Sequence, residues 1–213
     1  MHIDNSNESI DYSKVRYLLG AAELHQLPDD EGIEVAFAGR SNAGKSSALN
    51  KITGQNNLAR TSKTPGRTQL INVFTIDDSN RLIDLPGYGF AKVSRAVKNN
   101  WEKTLSEYLQ TRRCLKALVI LMDIRHPCKD MDVAMIRWSL AAGLSVMVLL
   151  SKSDKVKQGE RAKTTRAVKN TLKPFVGPDS ELLISPFSSL KGEGVSAVTS
   201  FLNNTYKKGP LQT

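Results

Sequence analysis

Gly39-Arg40-Ser41-Asn42-Ala43-Gly44-Lys45-Ser46 has the residue types and spacing to hold a polyphosphate. The run fits G-x-x-x-x-G-K-[ST] without mismatch. A triphosphate presents several anionic oxygens at close quarters. Backbone N–H groups curled around them are fixed donors, and glycine lets the chain turn tightly enough to aim them inward. A helix starting at the loop adds the positive end of its dipole. In this chemistry Lys45 brings a full charge to the β- and γ-phosphates, and the Ser46 hydroxyl takes one place around Mg²⁺. Downstream, Asp84-Leu85-Pro86-Gly87 forms a D-x-x-G run. An Asp at a strand end can hold Mg²⁺ through water, while the Gly87 N–H can bond a γ-phosphate and release it when that phosphate leaves.

Ser151-Lys152-Ser153-Asp154 resembles [NT]-K-x-D, the guanine-reading box of GTPases, with Ser at its first position. A carboxylate can accept from both guanine N1–H and the 2-amino group, and adenine lacks that pair of donors. Lys152 is expected to lie along the base. Phe187-Ser188-Ser189 stands where GTPases carry an S-A-K loop, in which a small residue lets a backbone N–H approach guanine O6.

The elements that must position these residues follow from periodicity. Glu34–Ala38 reads as a short strand entering the phosphate loop and Ser47–Ile52 as a helix leaving it. Tyr12–Leu19 suits an edge strand and Ala21–Gln26 a helical turn. The polar, basic stretch 54–69 has no period and reads as a mobile loop. Leu70–Ile76 and Arg81–Asp84 read as strands joined by a hairpin turn at Asp77–Asn80. Ser94–Thr111 reads as a helix with Val97, Trp101, Leu105, Tyr108 and Leu109 on one face, so Trp101 is assigned to the core. The apolar runs Leu115–Met122 and Leu144–Leu150 suit buried parallel strands. Helices are expected over Met131–Ala142 and Lys155–Lys173, a last strand over Leu182–Ser185, and a final helix from Gly192 to about Asn203. This alternation predicts an α/β fold: a mostly parallel central sheet with helices on both faces and the nucleotide over the carboxyl ends of the strands. The expected organisation is a flexible N-terminal tail and edge strand over 1–20, one domain over 21–206 and a tail over 207–213.

Composition is that of a globular chain, with 213 residues, 40% hydrophobic and 24% charged. The net charge of +9 favours a polyanionic partner such as nucleic acid, a ribosome or an anionic membrane surface. The two cysteines, Cys114 and Cys128, form neither a metal pattern nor a disulfide framework and suit a reducing cytoplasm. The polar start Met1–Asp11 is not expected to be a signal peptide, and the longest apolar run, Ala141–Leu150, is too short to span a bilayer. The lone loop histidine His126 carries no catalytic assignment.

Gly39 to Ser47, Pro65-Gly66-Arg67-Thr68-Gln69, Asp84-Leu85-Pro86-Gly87-Tyr88-Gly89 and Phe187-Ser188-Ser189 together resemble the EngB family of small bacterial GTPases, over about residues 20–205. The resemblance implies a P-loop GTPase (a Ras-like G domain) that acts in the cytoplasm, as a monomer, in assembly of the large ribosomal subunit or its precursor. The alternative it leaves open is a GTP-dependent switch in cell division and septation without direct ribosome binding. Carried over box by box, GTP is contacted by Gly39, Arg40, Ser41, Asn42, Ala43, Gly44, Lys45, Ser46 and Ser47; by Gly66, Arg67, Thr68, Gln69 and Leu70; by Asp84, Leu85, Pro86 and Gly87; by Ser151, Lys152, Ser153 and Asp154; and by Phe187, Ser188 and Ser189. Mg²⁺ falls to Ser46, Thr68 and, through water, Asp84. Lys45, Thr68 and Gly87 are the expected catalytic groups, and Thr68 is preferred over Thr61 and Thr64 because it alone sits in the P-G-x-T frame. The loop containing Thr68 and the segment after Gly87 are expected to order with triphosphate. Asn42 has two readings: a K⁺ ligand beside the phosphates, as a similar Asn is in several GTPases, or an amide that merely holds the loop. Ser151 replaces the family's Thr and keeps its hydroxyl. Tyr88 stands where Ras-like enzymes carry a water-positioning Gln, which implies slow intrinsic hydrolysis or a group from elsewhere. Ribosome contacts are expected from the basic residues near the switches, Arg60, Lys63, Arg67, Lys92, Arg95 and Lys98, rather than from the basic helix after Lys155.

Overall fold

The computed structural model describes residues 10–59, 70–89 and 95–207, with the backbone alone over 95–101. Strand β1 (Arg16–Ala21) is followed by β2 (Ile33–Gly39), helix α1 (Lys45–Thr53), β3 (Ile71–Thr75), β4 (Asn80–Asp84) and α2 (Arg95–Thr111). Then come β5 (Leu115–Asp123), α3 (Asp130–Ala141), β6 (Ser145–Ser151), α4 (Gln158–Leu172), β7 (Leu182–Pro186) and α5 (Val195–Lys207). The strands form one seven-stranded sheet in the order β1-β3-β4-β2-β5-β6-β7. β2, β4, β5, β6 and β7 run parallel, and β1 and β3 are antiparallel to their neighbours. This is the mostly parallel α/β architecture that the alternation of elements predicts.

The side-chain period of two explains both layers. Val35, Phe37, Val119, Leu121, Met147 and Leu149 face one core with Leu49 and Ile52 of α1 and Phe201 and Leu202 of α5. Ala36, Ala38, Leu118, Ile120, Val146 and Val148 face the other, with Leu105 and Tyr108 of α2, Met135 and Ile136 of α3 and Val168 and Leu172 of α4. A strand covered on both faces needs apolar residues at every position, which is why β5 and β6 read as continuous apolar runs. The parallel strands end together at Gly39, Asp84, Asp123, Ser151 and Pro186, so the loops that leave them gather at one edge of the sheet.

At the other end of β2 lies a buried charge. Glu34 is fully buried and accepts from Arg112 Nη2 at 2.6 Å, Arg112 Nε at 3.0 Å and the Tyr108 hydroxyl at 3.0 Å. Arg81 Nη1 stands 3.5 Å away. Paired donors on both carboxylate oxygens offset the loss of water.

Of the boundaries that differ from the periodicity reading, three show a local cause or a new turn. Residues Tyr12–Lys14 form a 3₁₀ turn instead of starting the strand, because Asp11 accepts from the Ser13 N–H and the Tyr12 hydroxyl turns inward to Asn203 Oδ1 at 2.8 Å. The helix expected from Lys155 begins at Gln158, after a 3₁₀ turn at Ser153–Lys155. α5 continues past Asn203 because Thr205 and Tyr206 are buried, with the Tyr206 hydroxyl donating to the Arg81 carbonyl at 2.8 Å. The side chains of Val97 and Trp101 lie outside the described residues. Among the described residues no helix is long and apolar enough to cross a membrane.

Candidate functional site

The phosphate-type loop leaves β2 at Gly39, where an added Cβ would meet the Leu121 carbonyl oxygen at 2.9 Å. Only glycine lets the chain pass that close to β5. Asn42 and Gly44 take left-handed conformations, with φ 64° and 93°, and Gly44 caps α1, which begins at Lys45. The two reversals fold the loop back over the helix N-terminus, where free N–H groups collect. Ser46 occupies the second position of α1 and Ser47 is exposed at the third.

Two neighbouring loops hold this one. The Ser151 hydroxyl lies 2.6 Å from the Ala43 carbonyl oxygen and 3.1 Å from that of Met122, tying the loop to β5 and β6. That hydroxyl is the part of the family's Thr that Ser151 retains. Lys152 Nζ donates to the Asn42 carbonyl at 2.7 Å and pairs with Asp123 Oδ2 at 3.0 Å. Arg125 and Lys152 together hold the Asp123 carboxyl well below the usual carboxylate range.

The D-x-x-G run sits beside the loop. Asp84 ends β4, and its Oδ1 forms an ion pair with Lys45 Nζ. Asn72 Nδ2 donates to Oδ2 at 3.4 Å. Leu85 N donates to the Phe37 carbonyl at 2.9 Å, which extends β4 along β2. Gly87 passes close to Ser41, where an added Cβ would come within 3.5 Å of the Ser41 Cα. Tyr88 is then stitched to the loop by its backbone. Its N–H donates to the Gly39 carbonyl at 3.3 Å, and its own carbonyl accepts from the Ser41 N–H at 2.8 Å. The ring is buried, and its hydroxyl donates to Asp132 Oδ1 of α3 at 2.7 Å. Burial first, then the Asp132 charge, pushes the phenol well above its ordinary value. Burial likewise raises the Asp132 carboxyl, against the hydrogen bond from Tyr88. Chain order around the expected switch is thus carried further than periodicity implies. Asn50 binds Asn56 and Ala59 through Nδ2 and accepts the Ala59 N–H at 2.8 Å, so residues 54–59 are tied to α1. Gly66, Arg67, Thr68 and Gln69 lie outside the described residues, while Leu70 is half-buried just before β3.

A third corner forms between the ends of β6 and β7. Asp154 Oδ1 accepts from the Ser188 hydroxyl at 2.6 Å, and that bond is the main cause lowering the Asp154 carboxyl below its ordinary value. Ser153 N–H donates to the Phe187 carbonyl at 3.1 Å, and Phe187 N–H to the Leu150 carbonyl at 2.9 Å. Phe187 and Ser188 are buried and Ser189 is half-buried. Glu193 stands behind both loops, bonded to Ser153 and to Arg161 of α4. The sequence reading did not single out Asp123, Arg161, Asp132 or Glu193. Each acts on a partner remote in the chain, and no local spacing encodes such pairs. Among the described residues no three His, Cys, Asp or Glu side chains are grouped to hold a metal by themselves.

The arrangement has relatives. A family described as "50S ribosome-binding GTPase" matches residues 34–152. A probable GTP-binding protein EngB of Shewanella sediminis is 53% identical over 202 residues, spanning 93% of this chain and 90% of the relative. That of Mannheimia succiniciproducens is 50% identical over 197 residues, spanning 92% and 95%. Among solved structures, a probable GTP-binding protein engB superposes with a TM-score of 0.66 at 19% identity, over 82% of this chain and 99% of that one. Era, solved with MgGDPNP and nucleotides 1506–1542 of 16S ribosomal RNA, gives a TM-score of 0.58 at 19% identity, over 82% and 57%. At such identities the superpositions speak for the fold.

Proposed function

This chain belongs to the EngB family of P-loop GTPases, and on that premise we propose that it is a slow, GTP-dependent switch in assembly of the large ribosomal subunit, acting in the cytoplasm. The observation that carries the reading is the meeting, at one sheet edge, of the loop after β2 with Asp84, Lys152, Asp154 and Ser188. Asp154 keeps one oxygen bonded to Ser188 and has acceptor capacity left for guanine N1–H and the 2-amino group. The Ser41 and Ala43 N–H groups are committed to the Tyr88 and Arg40 carbonyls, and the other N–H groups of the loop and of the first turn of α1, with Lys45, would meet the phosphates. In hydrolysis water attacks the γ-phosphorus, the bond to the β–γ bridging oxygen breaks, and these donors stabilise the charge left on GDP.

The residues present fit Mg²⁺, a hard cation that takes oxygen donors. The Ser46 hydroxyl at the start of α1 would hold it directly and the Asp84 carboxylate at the end of β4 through water, with Thr68 as the third group. When bound it supplies positive charge against the phosphate oxygens. Lys45 and Asp84 now pair, so the lysine must turn from carboxylate to phosphate as the nucleotide enters.

Tyr88 positions no attacking water in this reading, because its hydroxyl is committed to Asp132. Charge at the leaving phosphate must be met otherwise, and Asn42 offers a K⁺ ligand on an exposed loop turn. Hydrolysis is expected to run faster in K⁺ than in Na⁺ at equal ionic strength, with that difference lost in Asn42→Ala while GTP affinity is kept. A rate indifferent to the cation assigns Asn42 to holding the loop.

The ribosomal partner is supported by the description of the matching family and by the net charge of +9. Co-sedimentation with 50S particles tests it. Association is expected with a non-hydrolysable GTP analogue, weaker with GDP, and lost as salt is raised. Charge reversal at Lys92 and Arg95, whose side chains lie outside the described residues, is expected to weaken association more than reversal at the exposed Lys163 and Arg166 of α4. The opposite ranking moves the docking surface to α4. No association in any nucleotide state refutes the proposed partner.

A further inference from the structure

We infer that Glu193 and Arg161 are positioning residues that set guanine discrimination, by bracing the Asp154 turn against the loop after β7. The inference rests on the reading of Asp154 as the guanine acceptor.

Glu193 is bonded to both halves of that corner. Its carbonyl oxygen accepts from the Ser188 N–H at 3.0 Å, and its carboxylate accepts from the Ser153 hydroxyl at 2.6 Å. Ser188 in turn holds Asp154. The turn from Ser188 to Glu193 is closed from within, since Gly192 N–H donates to the Ser188 carbonyl at 2.8 Å and Lys191 N–H to the Ser188 hydroxyl oxygen at 3.2 Å. One residue further, Gly194 has φ 79°, and an added Cβ would stand 2.3 Å from the Pro186 carbonyl oxygen. The chain at Glu193 is therefore pressed onto the end of β7 and cannot slide.

The remaining carboxylate oxygen of Glu193 meets Arg161 Nη1. The two side chains are only 24% and 32% exposed, for Arg161 and Glu193, and the buried Arg161 Nε has no acceptor among the described residues. Arg161 thus takes its ionic compensation from Glu193. The pair joins α4 to the starts of the two base-facing loops, and the joint lies one residue from Asp154 through Ser153. A carboxylate that must meet two donors of one base at once depends on its placement to a fraction of an ångström, so loosening the brace costs the second bond first.

The test compares GDP with IDP, which lacks the 2-amino group, by competition against a fluorescent guanine nucleotide on the full chain. Glu193→Ala is expected to lower GDP affinity about tenfold and IDP affinity less, narrowing the GDP:IDP ratio several-fold. The loss is expected to be equal for GDP and a GTP analogue, because the base is common to both. Glu193→Gln, which keeps an acceptor for Ser153, is expected to restore most of the ratio. Arg161→Ala added to Glu193→Ala is expected to cost little more, as for groups acting as one unit. Should Glu193→Ala fail to fold, Ser153→Ala removes only the hydroxyl and is expected to narrow the ratio as well. A ratio unchanged in Glu193→Ala, or in Ser153→Ala where that stands in, overturns the brace. Asp154→Asn run beside them separates the two claims: loss of guanine preference there with an unchanged ratio in the brace variants refutes the brace alone, and no loss there refutes the base reading beneath it.

Discussion

Asp154→Asn is expected to lower GDP affinity on the order of a hundredfold while raising affinity for XDP. The carboxylate accepts from two donors of guanine. An amide at the same place presents one oxygen and one N–H₂, and the N–H₂ faces a donor it cannot satisfy. Xanthine carries an oxygen at C2, which that N–H₂ can reach. Ser188 sharpens the expectation, because its hydroxyl donates to Asp154 Oδ1 at 2.6 Å and so fixes the amide oxygen on the Ser188 side. The nitrogen is then turned outward, toward the base. Competition titrations with GDP, XDP and ADP read the outcome directly. Equal losses for GDP and XDP would show that the side chain holds the loop and does not read the base.

Arg112→Ala is expected to destabilise the fold by about 3 kcal/mol, since removing one partner leaves a buried charge uncompensated. Glu34 is fully buried, and two of its donors at hydrogen-bond distance come from Arg112. Among the described residues only the Tyr108 hydroxyl at 3.0 Å and the more distant Arg81 would remain. For a chain of this size the melting midpoint should fall by roughly 10 °C. Removing the charge together with its partner, as in Glu34→Leu with Arg112→Leu, should recover much of the loss, because an apolar pair no longer carries the desolvation cost. Urea midpoints for the single and double variants check this. A double variant less stable than Arg112→Ala would mean that the ion cluster stabilises in its own right.

The sheet was legible in the chain because covered parallel strands leave an unbroken apolar signature, as in Leu115–Met122 and Leu144–Leu150. The phosphate loop was legible because Gly39, Gly44 and Lys45 answer to local geometry within a few residues. The side-chain bonds between remote segments were not. Tyr88 meets Asp132, Glu193 meets Ser153 and Arg161, and Glu34 meets Arg112 across separations set by the fold. The helix boundary near Asn203 was hidden for the same reason. Tyr206 continues α5 because its hydroxyl finds the Arg81 carbonyl, a partner that periodicity within the helix cannot reveal.

A sheet open at both sides offers each margin as a template on which another extended chain can add. Here both margins are blunted. β1 carries an irregular register between Tyr17 and Leu19, which breaks the straight row of backbone groups, and Arg16 at its start is exposed. β7 spans only Leu182–Pro186, and its last residue lacks an N–H to donate. Neither margin, among the described residues, presents the long straight row of backbone groups on which a further strand would add. The protection is thinnest at the exposed Tyr17 and Leu18. There, a mutation that straightened β1 would turn a quiet margin into a seed.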